Sequence, residues 1–339
     1  MDLYEIWFVL LAVLLAGYAV LDGFDLGVGI LHYIARTDEE RRIFINSIGP
    51  IWDGNEVWLI TFGGALFAAF PEAYATIFSG FYDAFMLLLC ALIFRAVSIE
   101  FRSKVHSRRW MRAWDFGFFA SSLVATLVFG IAIGNGMMGI ALDERGVFVG
   151  NFSDLFRPYP LLMGALAVVM FAMHGALYLN LKVPFGELHD RVTDWGWHTW
   201  GAFLVLYLLA TIYTLVAVPR AIPQGAILPA LGVVVFLNVL SIANIPRSLY
   251  RKRFGQAFVS SSLTIIFLVS LYSFALWPNL VTASNHPELS LTVYRAASSP
   301  KTLRIMFYIA LIGMPLVLTY TTVVYWTFRR RVELSKTGY

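Results

Sequence analysis

Four carboxylates stand where a chain this apolar would be expected to carry none. In the run Gly17-Tyr18-Ala19-Val20-Leu21-Asp22-Gly23-Phe24-Asp25-Leu26-Gly27-Val28-Gly29, Asp22 and Asp25 are three residues apart. On a helix they share one face, and Gly29 lies one further turn along that side. A second run, Asn46-Ser47-Ile48-Gly49-Pro50-Ile51-Trp52-Asp53-Gly54-Asn55-Glu56-Val57-Trp58-Leu59, carries Asp53 and Glu56 at the same spacing, with Asn55 between them. Acids crowded together away from water cannot all ionise, so such a group can hold and pass protons. Each pair also has a plainer reading. Asp53 and Glu56 after Pro50 have the spacing of a capping box at a helix N-terminus, where negative charge is favoured. Asp22 and Asp25 could serve a buried interhelical hydrogen bond, or pair with an arginine of a partner.

The elements that hold these acids follow from composition. Of 339 residues, 59% are hydrophobic and 14% charged, against about 25% charged in an ordinary soluble domain. The mean hydropathy is +0.72. Disorder is excluded by 28 Phe, 16 Tyr and 10 Trp. The single cysteine, Cys90, excludes a disulfide framework and any multi-cysteine zinc or iron–sulfur site. Most of the chain must therefore lie in a bilayer, whose crossing takes about 20 mostly apolar residues per helix. Nine such spans are predicted, at about 5–34, 52–70, 74–100, 115–140, 160–181, 199–218, 226–245, 257–277 and 304–328. Residues 2–34 do not read as a cleaved signal peptide, because no basic segment precedes the apolar run and an acidic motif interrupts it. An acid at a helix centre costs about 2.5–3.5 kcal/mol on insertion scales, so two on one face must look into protein or water.

Lysine and arginine set the orientation. The loops after spans 1, 3, 5 and 7, with the C-terminal tail, carry 18 of the 25, and the opposite loops carry 6. Arg95, within span 3, completes the set. The N-terminus is thus expected outside and the C-terminus in the cytoplasm. A net charge of +4 does not indicate nucleic-acid binding, since the basic residues sit in short loops between spans. The fold class is all-α: one polytopic integral-membrane domain over 1–339, its nine helices arranged as two four-helix bundles plus one extra helix. The outer loops at about 141–159 and 278–303 are too short for folded domains. Counted along the helices, Asp25 lies roughly 13 Å from the inner end of span 1 and Glu56 roughly 9 Å into span 2. A short loop joins these spans, so they should be antiparallel neighbours whose acids meet at similar depth.

Other polar residues carry weaker signals. His174 in span 5 is the mid-membrane histidine; a b-type haem would need it paired with another axial ligand. Met163, Met170 and Met173 lie near it, but methionine here reads as packing. His32, His106, His189, His198 and His286 fall near span ends or in loops, where solvated or interfacial positions are expected. Arg95 and Glu100 are expected to snorkel to the inner surface, and Asp83 to face a partner or the outer aqueous boundary. Gly130 and Gly134 form a GxxxG pair that suggests close helix packing.

Taken in order, further blocks become informative. Asp22-Gly23-Phe24-Asp25-Leu26-Gly27, Glu40-Arg41-Arg42, and Gly49-Pro50-Ile51-Trp52-Asp53-Gly54-Asn55-Glu56-Val57-Trp58-Leu59 are followed by Gly63-Gly64-Ala65-Leu66-Phe67-Ala68-Ala69-Phe70-Pro71, Phe94-Arg95 and Glu100-Phe101-Arg102. This series resembles subunit II of a cytochrome bd-type quinol oxidase. The match is ordered over residues 1–115, with Trp52, Gly54 and Trp58 inside its most specific block. Beyond that it rests on length, span number and the Asn135-Gly136 region. The resemblance implies a homologous subunit I carrying two b-type haems and one d-type haem, with no haem or metal held by this chain. It implies oxidation of quinol with reduction of dioxygen to water, protons drawn from the cytoplasm, and a bacterial cell (inner) membrane location. It places the acid matching Asp53 in the proton path, to which Asn55, Glu56, Asp22 and Asp25 are added as candidates. A small single-span accessory subunit, membrane lipid and quinone are further expected partners.

Two other function classes compete. A proton- or cation-coupled secondary transporter would bind its ion at the acids, but broken spans should then recur in both halves. Here the acidic, glycine-rich spans lie in the first half. A purely structural partner would use the acids for interhelical contacts alone.

Overall fold

The structure is a computed structural model and describes residues 2–222 and 225–333. The described residues form eleven α-helices: α1 Leu3–Ile30, α2 Asp38–Ile48, α3 Trp52–Ala69, α4 Pro71–Gly80, α5 Tyr82–Phe101, α6 Arg108–Met138, α7 Pro158–Lys182, α8 Glu187–Ala217, α9 Leu228–Tyr250, α10 Phe254–Leu276 and α11 Pro300–Thr327. A two-stranded antiparallel sheet, Asn279–Val281 with Leu291–Thr292, lies in the loop before α11. The chain is an all-α polytopic membrane protein. Eight helices, α1 and α5 to α11, are long and apolar enough to cross a membrane. The polar first turns of α3, with Asp53, Asn55 and Glu56, keep it below that mark.

Several expected boundaries are corrected. The first span stops at Ile30, and His32–Ile34 form a separate 3-10 turn. The following loop contains α2, which opens with a capping box from Thr37 to Glu40. The expected span 74–100 is broken: α4 ends at Gly80, and α5 alone supplies the membrane-length helix. Pro71 accounts for the preceding stop, because the residue before proline avoids the helical region, and Phe70 adopts φ −138°, ψ 66°. Helices α6 and α8 begin earlier than their apolar stretches, at Arg108 and Glu187, because helical geometry continues into the polar flank.

α1 lies at the centre, packed on α7, α3, α6, α10 and α11. Its crossing with α7 is glycine on glycine. A Cβ on Gly27 would stand 1.9 Å from the Phe171 carbonyl oxygen, and one on Gly175 would stand 2.5 Å from the Gly27 carbonyl carbon. The Gly130 and Gly134 pair does the same for α6 on α7, where added Cβ atoms would meet Met163 and Pro160. In α9, Pro246 removes an internal hydrogen bond, and Trp200 Nε1 donates to the Ile242 carbonyl left over, at 3.3 Å.

The basic loops gather at one end of the molecule. Asp115 of α6 accepts from His32 at 2.7 Å, Arg41 at 2.7 Å and Arg102 at 2.6 Å, and Arg102 also binds Asp38. Arg191 near the start of α8 pairs with Glu40 of α2. Lys182 donates to the Phe328 carbonyl, and Arg331 to that of Val183, so the ends of α7 and α11 join the same end. Phe254, opening α10, packs on His189 of α8 with ring centroids 5.0 Å apart. Lys336 of the basic tail lies outside the described residues. At the opposite end, Trp7 donates to the Leu303 carbonyl, Ser298 to that of Ala68, and Asn135 to that of Leu155. α3 therefore runs from one end to the other.

The expectation of solvated span-end histidines fails for His32 and His189, which are buried. His32 donates from Nε2 to the carboxylate, and its Nδ1 has no partner among the described residues. Burial holds the His32 imidazole below its ordinary value, against the pull of the hydrogen bond and charge of Asp115. Unfolded chains therefore bind this proton at higher pH than folded ones, and stability falls as pH drops through about 6.5, the ordinary histidine value. The decline ends below the folded value. Thermal melting of the purified complex between neutral and mildly acid pH is expected to show this loss, and His32→Gln to flatten that part of the profile.

Candidate functional site

Three of the four predicted acids, Asp22, Asp25 and Glu56, meet in the half of the molecule nearer the basic end, and a residue assigned elsewhere organises them. Asp22 and Asp25 project from α1 and are fully buried. Arg95 of α5, also 0% exposed, donates through Nη2 to Asp22 Oδ1 at 2.6 Å and to Glu56 Oε1 of α3 at 2.5 Å. One guanidinium thus ties three helices. Beside it, Asn55 Nδ2 donates to Asp25 Oδ2 at 2.7 Å and to the Leu21 carbonyl at 3.2 Å. Asn55 Oδ1 accepts from the Tyr325 hydroxyl of α11 at 2.9 Å. The network thereby links α1, α3, α5 and α11.

Arg95 does not snorkel, contrary to expectation. It lies six residues before the end of α5, roughly 9 Å from it, and two carboxylates on neighbouring helices offer a better partner than the surface. The signal was present in the sequence: a lone arginine amid apolar residues, opposite a surplus of buried acids. Tyr325 gave no such signal, because only tertiary packing brings α11 to Asn55.

Asp53 is set apart from the other acids. It is exposed, in the first turn of α3, and its Oδ1 accepts from the Gly54 N–H at 2.8 Å. The anticipated capping box with Glu56 does not form: Ile51 is the N-cap residue and has no side-chain bond, while Glu56 turns to Arg95. Helix phase explains the separation. At about 100° per residue, Glu56 lies about 100° around the helix from the buried Asn55, whereas Asp53 lies about 160° from it and faces outward. Asp53 therefore heads a bare stripe that continues through Val57, Ile60 and Phe67, exposed at 51%, 71% and 58%. Gly54 also faces outward, and a Cβ there would touch nothing in this chain. Trp52 is partly buried against the core beside α2, and Trp58 packs on Gly17 of α1.

Charge balance defines what the arrangement can do. Three carboxylates, Asp22, Asp25 and Glu56, share one guanidinium. Uncompensated buried charges cost several kcal/mol each, so the surplus of acids over cations sets this cluster apart from an ordinary buried ion pair. Asp22 Oδ2, Asp25 Oδ1, Arg95 Nε and Nη1, and the Tyr18 hydroxyl have no partner among the described residues. Such groups are the ones buried water satisfies.

His174 does not suit an iron ligand as placed. Its Nδ1 pairs with the Ser261 hydroxyl at 2.6 Å and its Nε2 with the Val20 carbonyl at 3.0 Å, while the ring stacks on Phe258. Both nitrogens serve helix contacts between α7, α10 and α1.

The profile of the family described as cytochrome bd terminal oxidase subunit II matches residues 3–328. Cytochrome bd-I ubiquinol oxidase subunit 2 of Escherichia coli is 38% identical, with 96% of this chain and 94% of that protein covered. Cytochrome bd ubiquinol oxidase subunit 2 of Bacillus subtilis is 33% identical over 98% of this chain and 97% of its own length. Among solved structures, a chain of the bd oxidase from Geobacillus thermodenitrificans shares the fold at a TM-score of 0.76 and 18% identity, covering 97% of this chain and 99% of that one.

Removing the shared cation should damage the fold more than the loss of one ion pair suggests. Arg95→Leu leaves buried acids facing each other and is expected to cost about 3–5 kcal/mol, read as a lower melting temperature and reduced recovery of assembled complex. Adding Asp22→Asn to that variant should restore part of the loss.

Proposed function

Because the chain belongs to the cytochrome bd terminal oxidase subunit II family, we propose that its buried carboxylates are a cytoplasmic-side proton route for the complex it serves. The chain is a subunit of a bd-type terminal quinol oxidase, a quinol:oxygen oxidoreductase complex of the bacterial inner membrane. It acts with a partner subunit I in a haem-containing complex. The secondary-transporter reading gives way to this one.

The finer assignments are ours. Two b-type haems and one d-type haem sit in the homologous subunit I, which fits the engagement of both His174 nitrogens here. Those groups supply the electron transfer and oxygen chemistry; this chain supplies protons and a scaffold. α3 is the ninth span, since it runs the depth of the molecule between the basic loops and the Ser298 contact. The gathering of basic loops at one end supports a cytoplasmic position for that end, with the N-terminus outside. The helices then group as α1, α3, α5 and α6, and as α7 to α10, with α11 extra; together they form a single membrane domain. Room remains for a small single-span accessory subunit, lipid and quinone on the exposed apolar faces.

The observation that carries the proton reading is the division of labour among the acids. Asp53 stands exposed at the basic end of the bare α3 stripe, where a partner subunit would cover it. One turn deeper, Glu56 remains 26% exposed in its side chain while bonded to Arg95. Asp22 and Asp25 are sealed beyond it. Arg95 holds the acids in place and offsets one charge, without itself exchanging a proton. A proton taken up at Asp53 reaches Glu56 along the same helix flank and the pool at Asp22 and Asp25 behind it.

Asp53→Asn should slow oxygen consumption by the purified complex at least about tenfold, with the haem absorption spectrum unchanged in shape and amount. Unchanged turnover, or loss of the haem-bearing partner, would assign Asp53 to structure. The orientation is checked separately: alkaline phosphatase fused after the C-terminus is expected to be inactive, and active when fused in the 141–159 loop.

A further inference from the structure

The turn between α9 and α10 has features that the proposed proton route does not use. The end of α9 closes as a Schellman motif: the Arg253 N–H donates to the Ser248 carbonyl at 2.8 Å and the Lys252 N–H to the Leu249 carbonyl at 2.9 Å. The left-handed position of that motif is filled by Lys252, at φ 54°, and not by glycine. The tight reversal brings Arg247, Arg251 and Arg253 around one cavity of about 570 Å³. All three arginines are exposed, and none forms an ion pair among the described residues. α10 starts there without a side-chain cap, leaving its first N–H groups at Gly255 and Gln256 on the cavity wall.

A second observation points to a ligand. Ser248 is 1% exposed, lines this cavity, and its hydroxyl has no hydrogen-bond partner among the described residues. A buried donor without a partner, beside an uncapped helix start and three unpaired guanidinium groups, matches the oxygens of a phosphate. The cavity does not end in polar surface. Val259 and Leu263 continue it along α10, exposed at 56% and 40%. Asn244 bonds Ser260 at 2.9 Å across the two helices and closes the polar part beneath the arginines.

We propose that this cavity binds the phosphate headgroup of an anionic glycerophospholipid, with its acyl chains along Val259 and Leu263. Basic pockets between membrane helices favour such headgroups. An isolated phosphate would leave the apolar wall unused. The leaflet is the cytoplasmic one in the orientation proposed above, and a binding measurement in detergent does not depend on that orientation.

The test is native mass spectrometry of the purified two-subunit complex in detergent, given dioleoyl-phosphatidylglycerol or dioleoyl-phosphatidylcholine. Selective retention of one further phosphatidylglycerol is expected. Arg251→Gln with Arg253→Gln should weaken that retention about tenfold or more, and Ser248→Ala to a smaller degree, with oxygen consumption unchanged. The arginines are exposed, so the fold should survive their replacement, and the melting temperature checks this. Equal retention of both lipids, or full retention in the double arginine variant, overturns the proposal. Displacement of the lipid by inorganic phosphate alone would show a simple anion site and overturn the lipid assignment.

Discussion

The buried bridge from Arg95 to Asp22 and Glu56 constrains the rest of this structure. Charge inside a membrane must be met inside the protein, because neither lipid nor distance from the surface offers compensation. A single guanidinium reaching acids on two helices fixes α1, α3 and α5 in both depth and rotation. Asn55 and Tyr325 then extend the same constraint to α11. The glycine contacts on α1 serve the same end: with Gly27 against Gly175, α7 approaches closely from the other side and leaves little freedom for α1 to turn its acids toward lipid.

The imbalance in that bridge matters as much as the bridge. Had the acids been matched by as many cations, the site would be a closed ionic knot, without the surplus on which the proposed proton route rests. With three carboxylates and one guanidinium, the acids outnumber the cation, and several of their oxygens and N–H groups have no partner among the described residues. The second ionic centre, around Asp115, is built the other way. There Asp115 is held by Arg41, Arg102 and His32, and Arg102 also meets Asp38, so two arginines face two carboxylates and the cluster reads as a clamp between loops.

Much of this is legible in the sequence. Composition gave the membrane class, apolar runs located the long helices, and the paired spacing of Asp22 with Asp25 and of Asp53 with Glu56 marked the acids. What escaped were properties of phase and partnership. Spacing by three placed Asp53 with Glu56, but only the burial of Asn55 shows which side of α3 faces inward, and that puts Asp53 outside. Arg95 looked like a surface-seeking arginine because its partners lie 39 and 73 residues away along the chain. The break at Gly80 and Phe81 was hidden because apolar residues run through it. α2 gives little signal, because a short amphipathic helix in a charged loop leaves no long apolar stretch.

The bare stripe of α3 has a consequence for the life of the subunit before assembly. Newly inserted and alone, the chain would turn a row of large apolar side chains toward lipid, with a carboxylate at its basic end. In the proposed pairing the partner subunit covers that stripe. On that proposal, unmatched copies are the less stable population in the membrane.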